Sequence, residues 1–186
     1  MERRLHDIPK IFWSEETDKP FRSCIDCGEE LLLGELDYTV QKVFVRDEAV
    51  FEYAMCRVCA EKLRAELSFE TQVAFHEFLF SNADLSNRIG FLREPDEYEF
   101  DDWIAGCLVC HKPRSDCHRY SLCGLLLGPK VQLGEFPAMI CDDCEKQMGS
   151  LTSKETRDRW DRFIAEHFDG PPGVEIDSPS GQPILI

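Results

Sequence analysis

Eight of the ten cysteines occur in four Cys-x-x-Cys pairs, which are Cys24/Cys27, Cys56/Cys59, Cys107/Cys110 and Cys141/Cys144. Two intervening residues allow both thiolates of a pair to face one metal ion. The first pair recurs as the third and the second recurs as the fourth, after nearly the same length of chain. This repeated spacing predicts two structural Zn²⁺ ions per chain, each held by four of these cysteines.

The four pairs can share two metals in three ways: within each repeat, crossed between the repeats, or interleaved. The long helical stretch between Cys59 and Cys107, together with the repeat itself, favours sharing within each repeat. Four thiolates close the coordination shell, so no position is left to activate water or to polarise a substrate. Iron, alone or in an iron–sulfur cluster, is the other metal that such a ligand set would hold.

Two further cysteines, Cys117 and Cys123, lie near His111 and His118 and have no counterparts in the first repeat. The favoured interpretation is a buried strand thiol at Cys123 and a loop thiol at Cys117. A second interpretation joins both thiols to the third Cys-x-x-Cys pair on one metal and displaces the fourth pair. A third makes Cys117 and His118 a reactive or additional metal site. Thioredoxin-like redox chemistry is disfavoured, because four matched pairs occur without a parallel-sheet pattern.

The repeat extends into the segments that follow the second and fourth pairs. When Cys56 is aligned with Cys141, Ser68 to Thr71 aligns with Ser153 to Thr156. In the same alignment, an i, i+3, i+4 stripe recurs, formed first by Phe75, Phe78 and Leu79 and then by Trp160, Phe163 and Ile164. This spacing predicts that each repeat ends in an amphipathic helix, with Ser68 and Ser153 as the N-caps.

The segments between the cysteine pairs predict β-hairpins. In the first repeat, residues 38–45 and 49–53 are rich in β-branched and aromatic side chains, and 46–48 supplies a polar turn. Residues 56–67 predict a helix whose first turn carries the second pair. In the second repeat the hairpin is poorer, with 119–127 and 131–133 separated by Gly128-Pro129.

Knuckle, hairpin and a helix that starts at the second knuckle resemble the treble-clef zinc finger, over residues 21–67 and about 104–151. Gly28 follows the first knuckle, where a positive φ is often needed, whereas His111 stands at that place in the second repeat. The resemblance implies a scaffold and no particular activity, since treble clefs serve in nucleic-acid binding, protein binding, ubiquitin ligases and nucleases. The predicted fold class is α+β, with two repeated zinc-binding modules that each contain a hairpin with knuckles followed by helices.

Five segments are predicted along the chain. An N-terminal segment, 1–20, contains an apolar stretch that is expected to pack against the rest. The two zinc-binding repeats span 21–93 and 103–168, and an acidic, solvated linker at 94–102 separates them. Residues 169–186 are rich in proline and glycine and are expected to form a flexible tail. Each repeat is small enough that a hydrophobic core alone would be marginal, so a structural metal is expected to supply stability.

The chain is strongly acidic, with 36 Asp and Glu against 21 Lys and Arg and a net charge of −15. A duplex DNA-binding protein needs a basic face, so this charge disfavours nucleic acid as a partner. No run of about 18 apolar residues could span a bilayer, and the first residues do not form a secretory signal. Cysteine-rich sequences without such a signal are typical of metal proteins in reducing compartments, which predicts a cytoplasmic location.

The leading functional hypothesis is a non-catalytic adaptor or regulator that presents its zinc-stabilised modules to a protein partner with a basic surface. No recognisable catalytic constellation is present, so the chain is not expected to be an enzyme. An enzyme would need an open metal site near Cys117 and His118.

The alternative is a nucleic-acid or transcription-associated zinc finger that uses the second repeat alone. The basic side chains that would contact phosphate are Lys112, Arg114, Arg119, Lys130, Arg157, Arg159 and Arg162. The last three alternate with Glu155, Asp158 and Asp161, a pattern that favours surface ion pairs instead.

Overall fold

The structure is a computed structural model that describes residues 4–33, 35–83, 88 and 99–168, without the side chain of residue 80. The strands are β1 (Arg4–Asp7), β2 (Trp13–Ser14), β3 (Lys19–Pro20), β4 (Asp37–Val45), β5 (Glu48–Cys56), β6 (Arg119–Leu127), β7 (Lys130–Leu133) and β8 (Ala138–Cys141). The α-helices whose bounds lie within the described ranges are α1 (Arg57–Ala65), α2 (Phe69–Asn82), α3 (Asp142–Ser150) and α4 (Lys154–His167). The predicted α+β class is confirmed. The predicted tail, 169–186, and residues 94–98 of the predicted linker lie outside the described residues.

Both predicted hairpins form. β4 and β5 pair antiparallel around Arg46 and Asp47, whose φ values of 51° and 64° are those of a tight hairpin turn. β6 and β7 pair around Gly128, whose φ is 51°. The strand β8, which was not predicted from the sequence, follows Pro137 and pairs with the first residues of β6.

The two repeats share one sheet, because β4 of the first pairs antiparallel with β6 of the second along the whole of both strands. Five of the six strands follow the order β1-β7-β6-β4-β5, and the sixth, β8, is a third pairing partner of β6. Gln41 lies opposite Cys123 at the centre of the pairing, so a half-turn about this pair exchanges the two strands. A local pseudo-two-fold axis therefore passes through the middle of the β4–β6 pairing.

The N-terminal caps of α2 and α4 meet each other across the two repeats. The backbone N–H of Thr71 donates to Ser68 Oγ, and that of Thr156 donates to Ser153 Oγ, both at 3.2 Å, as predicted for N-caps. The two serine hydroxyls also lie 2.8 Å from each other. Between the repeats, the Ser68 N–H donates to Thr156 Oγ1 at 3.0 Å and the Ser153 N–H to Thr71 Oγ1 at 2.9 Å. Each repeat therefore satisfies backbone donors of the other.

Helix α4 crosses over and packs on the hairpin of the first repeat. The Phe163 ring lies 5.7 Å from that of Tyr53 on β5, and Phe168, directly after the helix, lies 4.5 Å from Phe51. His167 Nε2 lies 3.3 Å from a carboxylate oxygen of Asp26 in the first knuckle. The aromatic stripe of the second repeat therefore stabilises the first.

The two predicted aromatic stripes differ in burial. Trp160, Phe163 and Ile164 on α4 are buried, as predicted. The matching residues on α2, which are Phe75, Phe78 and Leu79, are only half-buried among the described residues. Both helices therefore carry the predicted stripe but bury it to different extents, because aligned helix faces need not meet equal neighbours.

The N-terminal segment packs on the sheet, as predicted. Phe12 is fully buried over Gly124 of β6, where an added Cβ would lie 2.9 Å from the phenyl ring. The buried ammonium of Lys42 on β4 is also paired with this segment, since its Nζ lies 2.8 Å from a carboxylate oxygen of Glu15. A carboxylate oxygen of Glu52 on β5 lies 3.0 Å from the same Nζ. A residue larger than glycine at position 124 would displace the phenyl ring. The glycine therefore provides the space in which Phe12 packs on the sheet.

The last residues of the predicted linker begin a short helix that leads into the second repeat. Residues 100–104 form a 3₁₀-helix whose Trp103 and Ile104 are buried, and Phe100 contacts Phe12 edge to face at 6.1 Å. Glu99 and Asp102 form a capping box at its start. Of the predicted linker residues that the structure describes, Glu99, Asp101 and Asp102 are exposed and Phe100 alone is buried.

The unequal stripes predict unequal effects of truncation at aligned positions. Phe163→Ala should lower the free energy of unfolding by about 3–5 kcal/mol, because the ring is buried against Tyr53. Phe78→Ala, at the aligned position of the first repeat, should cost about 1–2 kcal/mol, because its ring is only half-buried. Urea unfolding followed by circular dichroism measures both. Equal costs would contradict the packing described for α4.

Candidate metal centres

The paired cysteines gather into two clusters, one in each repeat. Within each cluster the four sulfur atoms lie within 4.8 Å of one another, and the members are Cys24, Cys27, Cys56 and Cys59, and Cys107, Cys110, Cys141 and Cys144. This is the within-repeat grouping that the sequence favours. A tetrahedron with metal–sulfur bonds of about 2.3 Å has sulfur–sulfur edges of about 3.8 Å. The Cys27–Cys56 distance is 3.8 Å and the Cys110–Cys141 distance is 3.5 Å, so each cluster has the size of a metal-binding tetrahedron.

A tight backbone turn presents the first pair of each cluster. The Cys24 N–H donates to the Glu29 carbonyl and the Gly28 N–H donates to the Cys24 carbonyl, both at 2.9 Å. The Ile25 N–H donates at 2.9 Å to the carbonyl of Ala54 on β5. The knuckle is therefore tied to the strand that delivers the second pair.

The second pair of the first cluster lies at the junction of β5 and α1. Cys56 ends the strand and occupies the N-cap position with extended backbone, and Cys59 lies in the first turn of the helix. The Cys56 N–H donates to Cys24 Sγ at 3.3 Å. The positive end of the helix dipole therefore faces the sulfur atoms and stabilises their negative charge.

The second cluster repeats this geometry nearly bond for bond. The Leu108 N–H donates to the Met139 carbonyl at 2.8 Å, and the Cys141 N–H donates to Cys107 Sγ at 3.4 Å. His111 takes the place of Gly28 and adopts the same left-handed conformation, with φ of 61° against 74°. The departure from glycine therefore leaves the knuckle intact.

Burial makes both clusters unfavourable for ionised sulfur without a cation. Burial raises the pKa of Cys59 and of Cys144 well above the usual thiol value, and it raises the pKa of Cys141 to about 12. The Glu29 backbone amide lowers the pKa of the exposed Cys27 thiol. Four thiolates at this spacing require a bound cation, and soft sulfur donors fit Zn²⁺. The donor set therefore fits a structural metal at each cluster.

Neither of the two additional cysteines belongs to a cluster. Cys123 is buried on β6, where burial raises its thiol pKa to about 12, and Cys117 is half-buried with its thiol donating to the Pro113 carbonyl at 3.3 Å. His111 and His118 are exposed and are not part of either group of metal-ligating side chains found among the described residues. The interpretation of one core thiol and one loop thiol is the one that the structure supports.

Two neighbours of the first cluster were not anticipated from the sequence. The Asp26 carboxylate interacts with the Cys59 thiol, which lowers the pKa of Asp26, and it also faces His167 at the end of α4. Asp26 aligns with the apolar Val109, so the repeat carries no signal for it. His167 reaches the cluster only because α4 crosses between repeats, which local sequence patterns do not encode.

Several basic residues of the second repeat lie beside carboxylates. Lys112 Nζ lies 3.4 Å from Asp143. Further pairs are Arg119 with Asp142 and Glu145, Lys130 with Asp7, and Arg159 with Glu66 and Glu166. This pairing compensates the charges that phosphate contacts would need.

In the described part of the chain, no helix is long and apolar enough to cross a membrane. Comparisons with protein-family models, with curated proteins and with solved structures give no match for this chain. The two sulfur clusters and the sheet that joins them are therefore the features from which a function has to be argued.

The paired knuckle turns predict an asymmetric response to alanine. Gly28→Ala should destabilise the protein by about 1–2 kcal/mol through backbone strain alone, because an added Cβ meets no atom within 4 Å. His111→Ala should change stability by less than about 0.5 kcal/mol, since a side chain already occupies that left-handed position. Thermal unfolding of both variants provides the test. A larger cost at position 111 than at 28 would contradict the equivalence of the two turns.

Substitution of two buried cysteines separates metal ligands from ordinary core thiols. Cys56→Ser should reduce the bound metal from two ions to one and unfold much of the first repeat, because zinc binding contributes on the order of 10 kcal/mol. Cys123→Ser is the matched control, and it should keep both metals at a cost of about 1–3 kcal/mol for burying a hydroxyl. Metal content and circular dichroism measure both effects. Two metals and an unchanged spectrum in Cys56→Ser would refute the assigned cluster.

Proposed function

We propose that this chain is a non-catalytic adaptor or regulator whose fold is held by two structural Zn²⁺ ions. The observation that carries the proposal is that all eight paired cysteines lie in two four-sulfur clusters. A metal with four protein sulfur ligands has no open position for water or substrate. Such a metal stabilises a surface rather than performing chemistry on a ligand.

The scaffold in this proposal is a pair of treble-clef-like modules. The order of knuckle, hairpin and helix occurs in both repeats, with the second cysteine pair at a helix N-terminus each time. Their shared sheet makes one platform from two modules. This arrangement suits a protein that displays surfaces in fixed relative positions.

The thiols and hydroxyls outside the clusters support a non-catalytic role. Burial raises the pKa of Cys117, so this thiol is a poor nucleophile at neutral pH. An open groove of about 810 Å³ lies at the N-termini of α2 and α4, but Ser68 and Ser153 in its wall are used as helix caps. The proposal therefore assigns no reaction to these residues.

A protein partner with a basic surface fits the charge of the first repeat. Residues 21–80 carry 12 acidic and 6 basic side chains, whereas 103–168 carry 9 of each. Opposite charge increases the rate of encounter and selects against acidic partners. Exposed apolar side chains on the same repeat, Val58 at 64% and Phe69 at 79% exposure, supply surface that a partner would bury. Eight thiolate ligands also imply a reducing compartment such as the cytoplasm.

Affinity capture with the full chain tests the adaptor role. Wild type and Cys117→Ser should retain the same protein from nuclease-treated extract, because Cys117 lies outside both clusters. Cys56→Ser, which loses the first cluster, should retain much less of it. Recovery of that complex from purified components would establish a direct interaction.

Two outcomes of this capture would overturn the adaptor role. If the chain retained material from untreated extract and none from nuclease-treated extract, the nucleic-acid alternative that uses the second repeat would be favoured. The adaptor role would also be contradicted if no captured protein were retained by Cys117→Ser and lost with Cys56→Ser.

A further inference from the structure

The pseudo-two-fold relation between the repeats does not extend to β1, which pairs with the second repeat and has no described counterpart on the first. In the second repeat, the outer side of β7 pairs antiparallel with β1, from Arg4 opposite Leu133 to Asp7 opposite Lys130. The equivalent of β7 in the first repeat is the start of β5, residues 48–51. Over the described ranges, β5 pairs with β4 alone, and no strand lies along its outer side at 48–51.

The register identifies which side chains correspond along the two strands. Phe44 and Val45 pair with Ala49 and Glu48, just as Leu126 and Leu127 pair with Val131 and Lys130. Glu48 therefore stands where the second repeat has Lys130, which forms an ion pair with Asp7 of the added strand. A strand added to β5 would therefore meet a negative charge where β1 meets the positive charge of Lys130.

The exposed side chains of this strand segment combine one charge with one apolar surface. Glu48 is exposed and Val50 is 47% exposed, whereas Phe51, which packs against Phe168, is buried. An incoming strand can therefore place a basic residue opposite Glu48 and an apolar residue beside Val50. Cross-strand pairs of opposite charge or of apolar side chains stabilise a sheet, whereas like charges directly opposite each other destabilise it.

Charge selects among the possible occupants of this strand edge. The chain's own residues 169–186 contain three acidic residues and no Lys or Arg, so they cannot supply the basic partner of Glu48. A second copy of β5 would bring Glu48 and Glu52 and no basic residue. An extended basic segment of another protein can pair with the backbone groups on the outer side of β5 and can place a positive charge opposite Glu48.

We propose that the outer side of β5, at residues 48–51, binds an extended basic segment of a partner protein by antiparallel strand addition. This inference rests on the proposed adaptor function and names the surface that it would use. The backbone N–H and C=O groups of the strand supply affinity, while Glu48 and Val50 select the sequence. The contact that β1 makes with β7 is the pattern for this binding.

Nuclear magnetic resonance titration of the isotope-labelled full chain tests the proposal with two synthetic tetrapeptides that have blocked ends. Both carry the Arg-Leu-His of β1, followed by Lys in one peptide and by Asp in the other. The Lys peptide should shift the amide signals of residues 48–51 and bind about fivefold more tightly than the Asp peptide, since an opposite-charge pair replaces a like-charge pair. In Glu48→Lys the preference should reverse. Glu70→Lys, an exposed glutamate in the first turn of α2, is the matched control and should keep the wild-type preference.

Several results would overturn the proposed site. Shifts confined to other residues, no shift at millimolar peptide, or an unchanged preference in Glu48→Lys would each exclude it. Without peptide, a change in the signals of 48–51 caused by Leu185→Asp would identify the chain's own tail as the occupant. Sedimentation of a dimer that Val50→Lys dissociates would identify a second copy. Failure here would leave the Cys56-dependent capture of a protein partner unaffected, so the adaptor role and this surface are tested separately.

Discussion

Four sulfur atoms within 4.8 Å of one another, three of them on buried cysteines, can all be ionised only if a cation lies among them. This constraint explains why each cluster combines a knuckle, a strand end and the N-terminus of a helix. The knuckle turn fixes two thiols, the end of β5 or β8 fixes the third, and the first turn of α1 or α3 fixes the fourth. A metal bound at such a cluster would therefore tie three segments together.

The shared sheet determines how the two clusters relate to each other. Because β4 and β6 pair along their whole length, each repeat supplies a sheet edge that the other covers. The crossing of α4 adds aromatic contacts from the second repeat to Tyr53 and Phe51 of the first. Reciprocal hydrogen bonds join the N-cap serine of α2 to a threonine of α4, and the N-cap serine of α4 to a threonine of α2. The protein is thus organised like a dimer of two similar modules on one chain, with a single continuous platform.

The sequence was informative wherever ligands and local patterns determine structure. The spacing of the cysteines predicted the grouping of the clusters, and Ser68 and Ser153 predicted the helix starts. Runs of β-branched and aromatic residues predicted the hairpin of the first repeat. An alignment of repeats, however, shows that two segments resemble each other and not how they pack. The β4–β6 pairing, the crossing of α4 and the unequal burial of Phe78 and Phe163 depend on contacts between distant residues, which no local pattern contains.

The local departures have equally specific causes. Phe100 lies in a run of acidic residues whose charge predicted a solvated linker, yet its ring is buried and contacts Phe12, because burial of an aromatic side chain is favourable. His111 breaks the glycine pattern of the knuckle, but histidine is one of the residues that more often adopt a left-handed conformation, so the turn survives.

X-ray absorption at the zinc edge of the purified full chain, with the zinc content of the same sample, decides whether each cluster is a closed four-sulfur site, because the spectrum gives the type, number and distance of the atoms bound to the metal. Two zinc ions per chain are expected, each with four sulfur neighbours at about 2.3 Å and no nitrogen or oxygen neighbour. A shell that contains nitrogen or oxygen would mean that a histidine or water replaces a cysteine in at least one cluster. That result, or a single zinc ion per chain, would contradict closed four-cysteine coordination and the non-catalytic role argued from it.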